Sequence, residues 1–96
     1  MKITREAYAG TLESSDVMIR IAPGNGNISI DISSIVLAQF GDAIRDAINA
    51  TLADLKVTDA AVIADDKGAL DCVIRARVQA AVARASDDTL ALWGAA

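Results

Sequence analysis

Hydrophobic and polar residues alternate strictly over two stretches of this chain. In Val17-Met18-Ile19-Arg20-Ile21-Ala22, the residues Val17, Ile19 and Ile21 share one face. In Asn27-Ile28-Ser29-Ile30-Asp31-Ile32, the isoleucines share one face and Asn27, Ser29 and Asp31 the other. A period of two is that of a strand buried on one side. Between them lies Pro23-Gly24-Asn25-Gly26-Asn27, a cluster of turn residues, so residues 17–32 predict a β-hairpin. Upstream, residues 6–12 predict a further strand, with Tyr8 and Leu12 on one face and Gly10 a weak point or bulge between them. Glu13-Ser14-Ser15-Asp16 is the short polar turn that leads on from it. Serine and aspartate side chains can bond nearby backbone and stabilise such a turn.

Beyond residue 32 the period lengthens. Leu37, Phe40, Ile44, Ile48, Leu52 and Leu55 recur at steps of three and four, one stripe of an amphipathic helix running to about residue 55. Ser33 and Ser34 are candidate N-caps. Ala60-Ala61-Val62-Ile63-Ala64 is a short apolar run, predicted as a buried strand, and residues 65–68 as a polar connection. A second helix is predicted over residues 69–85, with Leu70, Ile74, Val78, Ala81, Val82 and Ala85 as its stripe and Arg75, Arg77, Gln79 and Arg84 off it. Residues 89–96, carrying Leu90, Leu92 and Trp93, are expected to be an extended tail.

The order is β-β-β-α-β-α. Three successive strands should pair antiparallel, and the first helix should return the chain by a right-handed crossover to a fourth strand parallel to the third. The expected fold class is α+β: a two-layer α/β sandwich, a four-stranded mixed sheet with two helices on one face. A chain of 96 residues makes a single domain, residues 1–96.

Composition narrows what such a domain can do. Hydrophobic residues make up 53% of the chain, but aromatics only 3%, so the core should be aliphatic and alanine-rich. Net charge is −4, with no basic stripe and no aromatic platform for bases, so nucleic acid is not an expected partner. No apolar run approaches the roughly 18–20 residues of a membrane span, and residues 1–20 hold no signal-peptide core. The lone Cys72 suits a reducing compartment, and a cytoplasmic location is expected. There is no histidine, so the commonest general base and metal ligand are missing. With one cysteine besides, no zinc or other metal site is expected. No phosphate-binding glycine motif is present. These absences point away from a free-standing enzyme, and no catalytic residue is expected.

Candidate chemistry concentrates at the turn. Ser14 and Ser15 place two hydroxyls side by side between Glu13 and Asp16, where a modifying enzyme could reach them. Elsewhere the plain readings prevail. Cys72 is expected to be a small buried helix residue without a base to activate it. Asp65, Asp66 and Asp71 lack the spacing of a calcium loop and read as a charged loop beside a helix N-terminus. Arg75, Arg77 and Arg84 read as a solvated face. Leu90, Leu92 and Trp93 could dock a partner or fold back on the domain.

Three spaced blocks carry a family resemblance: AGTLESSDVMIRIAP over residues 9–23, QFGDAIR over residues 39–45, and DDKGALDC over residues 65–72 continuing in IRAR at 74–77. The chain resembles the citrate lyase acyl carrier proteins, the small gamma subunits of that lyase. The resemblance implies that Ser14 is joined by a phosphodiester to 2'-(5''-phosphoribosyl)-3'-dephospho-coenzyme A. It also implies that the thiol of that group carries acetyl and citryl units as thioesters while citrate is cleaved to acetate and oxaloacetate. The implied partners are the alpha (acyl transferase) and beta (citryl lyase) subunits and a prosthetic-group transferase. Ser15 departs from the family pattern, in which a small residue such as glycine often follows the attachment serine, so Ser15 stays an alternative site. Position directly after Glu13 favours Ser14. The carrier of malonate decarboxylase is a related reading, and a non-carrying interaction module is a reading from a different class.

Overall fold

The elements are β1 (Ala7–Gly10), β2 (Val17–Ala22), β3 (Ile28–Ser34), α1 (Leu37–Asp54), β4 (Ala60–Asp66) and α2 (Asp71–Ala85), in the predicted order. They come from a computed structural model that describes residues 1–34 and 37–86, with residues 37–39 as backbone alone. The expected tail at 89–96 lies outside the described residues.

The four strands form one mixed sheet in the order β1-β2-β4-β3. β1 runs antiparallel to β2 and β2 antiparallel to β4, while β3 runs parallel to β4. Alternation sets the buried face. Val17, Ile19 and Ile21 of β2 are buried, as are Ala60, Val62 and Ala64 of β4. They meet Ile44, Ile48 and Leu52 of α1 and Ile74, Val78 and Val82 of α2 in one core. Each fully buried aliphatic side chain of this kind contributes about 1.5–3 kcal/mol. α1 lies over β3, α2 over β1 and β2, and the helices pack on each other. The α+β two-layer sandwich predicted from the pattern is the observed fold.

The hairpin over residues 17–32 is not. β2 and β3 are not neighbours, because β4 lies between them. The turn cluster at 23–27 spans the gap instead of closing a ladder. Asn27 accepts a hydrogen bond from the Ala60 amide at 3.1 Å, and the Gly26 amide donates to Asp59 Oδ1 at 3.0 Å, so the loop binds the entry of the inserted strand. The physical reason is burial. Only a central position pairs β4 on both edges, and its Ala60-Ala61-Val62-Ile63-Ala64 run leaves little polar surface for an exposed edge.

Local boundaries shift as well. Ser33 and Ser34 end β3. Asp65 and Asp66 end β4 and are not part of a loop. α2 begins at Asp71, leaving Leu70 70% exposed in front of it. Phe40 on α1 is 52% exposed, while Tyr8 and Leu12 project from the edge of the sheet.

Candidate functional site

The turn between β1 and β2 begins with a close approach that only glycine permits. Gly10 has φ +107°, and a β-carbon there would lie 1.8 Å from the Val17 carbonyl oxygen. From this pinch the chain loops out and returns through Glu13-Ser14-Ser15-Asp16, closed by the Asp16 amide donating to the Glu13 carbonyl at 3.2 Å. Ser15 takes the third position of the turn with φ 65°, the left-handed conformation that glycine adopts at least cost.

Two further sets of bonds fix the turn. The Ser15 amide donates to the Lys67 carbonyl at 2.8 Å, and the Lys67 amide donates to the Asp16 carbonyl at 2.9 Å, which continues the β2–β4 ladder past its last pair. The Asp16 carboxylate then gathers four donors. Oδ1 accepts from the Val17 amide at 2.7 Å and Arg77 Nε at 3.0 Å. Oδ2 accepts from Thr11 Oγ1 and Arg77 Nη2, both at 2.7 Å. Thr11 Oγ1 also accepts from the Glu13 amide at 3.2 Å. Hydrogen bonding from Arg77 first, and from Thr11 next, holds the Asp16 carboxyl well below the usual carboxylate range.

Between these anchors stands Ser14. It is exposed, and among the described residues no hydrogen bond engages its hydroxyl. A group joined there through an ester would meet no packed side chain and break no existing bond, so the residue fits covalent attachment. Ser15 is exposed too, but its backbone is tied to Lys67 and lies in the left-handed region.

Lys67 leads into a second ordered loop at the same edge. Asp66 is 1% exposed; its carboxylate accepts from Ser34 Oγ at 2.8 Å and from the Gly68 and Ala69 amides at 3.1 and 2.9 Å. This buried acceptor folds the path from β4 into α2.

Of the arginines expected on a solvated face, Arg84 is exposed and Arg75 partly so, while Arg77 is committed to the turn. Arg77 grips the turn, Arg84 Nη1 donates to the Tyr8 carbonyl at 2.7 Å, and Arg75 pairs with Asp71 at 2.6 Å. Cys72, expected to be buried, is exposed, because the buried stripe of α2 starts at Ile74. Among the described residues no three histidine, cysteine or acidic side chains gather to hold a metal ion. No helix among the described residues is long and apolar enough to cross a membrane. The roles of Lys67 and Arg77, and the bond from Ser34 to Asp66, carry no local sequence signal, because each partner is distant in the chain.

Residues 4–85 match the family model described as malonate decarboxylase delta subunit (MdcD). The chain is 57% identical over 96 residues to the citrate lyase acyl carrier protein of Yersinia enterocolitica, an alignment covering 99% of each chain. It is 53% identical over 93 residues to that of Pectobacterium carotovorum, covering 97% of each, and 56% identical over 93 residues to that of an Enterobacter species, covering 97% of this chain and 96% of the relative.

Proposed function

Because the chain belongs to the citrate lyase acyl carrier protein family, we propose that it is the acyl-carrying subunit of a citrate lyase and that Ser14 bears its prosthetic group. The observation that carries this reading is the free Ser14 hydroxyl at the tip of a turn whose two flanks are fixed to β4 and α2. The group assigned is 2'-(5''-phosphoribosyl)-3'-dephospho-coenzyme A, held through a phosphodiester. When bound it supplies the thiol on which acyl units ride.

The chain's own residues present that thiol and take no part in proton transfer. Asp16, two residues from the attachment point, is held ionised by Arg77 and is a poor proton acceptor near neutral pH. The fixed turn limits where the arm starts, and tethering raises the concentration of its thiol at partner sites to the millimolar range. The partners assigned are the acyl-transferring alpha subunit, the citryl-cleaving beta subunit and the transferase that loads Ser14, all in the cytoplasm. A second reading, the carrier of malonate decarboxylase, is favoured by the description of the matching family model.

Intact mass after incubation with the loading transferase tests the assignment. The wild-type and Ser15→Ala chains should gain the mass of one prosthetic group and Ser14→Ala none. A Ser14→Ala chain that still gained it would overturn the site. Restored citrate cleavage on adding the loaded chain to alpha and beta subunits separates the citrate lyase reading from the malonate decarboxylase one.

A further inference from the structure

A cleft of about 380 Å³ opens between α1 and α2, lined by Phe40, Ala43 and Ile44 on one side and Ala69, Leu70 and Ile74 on the other. Its volume falls in the about 300–1,000 Å³ range of small-molecule sites. We propose that this cleft receives the acyl-bearing end of the arm carried on Ser14 of the same chain. The proposal rests on the carrier reading above and adds a resting place for the arm.

The connection is short. Ser15, next to the attachment point, donates its amide to the Lys67 carbonyl at 2.8 Å. Gly68, the residue after Lys67, already lines the cleft. One loop therefore touches the turn on one side and the cleft on the other. The pantetheine part of the arm is built like at least three extended residues, about 10 Å of reach, and it begins beyond the phosphodiester and nucleotide. Tethering makes even weak contact sufficient, because the local concentration of the arm is in the millimolar range.

Charge selects which part of the arm enters. Asp66 and Asp71 lie in the lining. Asp66 is saturated by Ser34, Gly68 and Ala69, and Asp71 pairs with Arg75. Neither is free to bind a cation, and neither carboxylate offers a phosphate a hydrogen-bond donor. The remaining surface is carbon, including a half-exposed Phe40 and a 70% exposed Leu70. A neutral amide chain ending in a thioester matches that lining; the nucleotide half does not. Held there, the thioester is shielded from water between visits to partner enzymes. The concave shape and small volume favour the arm over a protein partner, which would seek a broader surface.

The test uses the full chain with Cys72→Ser, so that the arm supplies its only thiol. Loading is first verified by intact mass. The arm thiol is then alkylated with N-ethylmaleimide in this chain and in one also carrying Ala43→Trp, which fills the cleft from α1. An arm docked about nine-tenths of the time predicts about tenfold faster alkylation in the filled variant. In the unfilled chain, nuclear Overhauser contacts should join the pantetheine methyl groups to Ile44 and Ile74. Equal alkylation rates with no such contacts overturn the proposal while leaving the carrier reading intact. So does a cleft whose resonances move only when alpha or beta subunits are added, which would make it a partner surface. A chain that gains no mass with active transferase overturns the carrier reading, and the cleft proposal with it.

Discussion

Arg77 on α2 holds Asp16 on the β1–β2 turn through two parallel hydrogen bonds, Nε to Oδ1 at 3.0 Å and Nη2 to Oδ2 at 2.7 Å. The pair joins residues 61 positions apart and ties the helical layer to the edge that carries Ser14. Its carboxylate is largely covered and its guanidinium 38% exposed, so the pair stabilises more than a surface bridge but less than a buried one.

Removing the arginine tests this tie. Arg77→Met should lower stability modestly, because solvent reaches Arg77, as measured by the urea midpoint. Amide resonances of residues 13–16 should broaden or shift while those of β3 stay in place.

The same pair fixes a pH dependence. The Asp16 carboxyl is depressed in the folded state from an ordinary value of 3.8, so its contribution is complete above that value and is lost as pH falls through the lower folded value. Wild type should therefore exceed Asp16→Asn in unfolding free energy by a constant margin at pH 5–7. The margin should narrow below about pH 4. A margin that stayed constant down to pH 2 would show that Asp16 is not held ionised by the fold.

Gly10→Ala should be severely destabilising, by about 3 kcal/mol or more. The added methyl would have to displace the Val17 carbonyl, 1.8 Å away, and the backbone at φ +107° disfavours any side chain. Thermal unfolding of the variant checks it. The loss should exceed that of Gly26→Ala, where a β-carbon meets nothing within 4 Å.

Ser15→Gly should stabilise slightly, by about 0.5 kcal/mol, because relief of the left-handed backbone at φ 65° outweighs the added freedom of the unfolded chain. Loading at Ser14 should be unaffected, which intact mass will show. Improved stability together with lost loading would place the attachment on Ser15.

The layered architecture was legible in residue spacing. Alternation at Val17, Ile19 and Ile21 identified the buried face of β2, and the three- and four-residue steps of Ile44, Ile48 and Leu52 identified the core stripe of α1. Position in the chain pointed to the turn at Ser14. Spacing alone gave no reason to prefer a modified serine over an idle one; the similarity of the three residue blocks to a family did that.

The sequence by itself determined which segments become strands and helices and which face of each is apolar, because both are set by residues within a turn or two of one another. Tertiary structure alone decided the rest. β4 entered between β2 and β3 because a central position hides the polar backbone of an apolar strand, and no local pattern encodes which neighbour a strand finds. Arg77 reached Asp16, and Ser34 reached Asp66, only after the sheet had brought β4 between β2 and β3. Ser14, the proposed attachment point, is visible in the sequence. The frame that leaves its hydroxyl free while fixing both sides of it exists only in the folded chain.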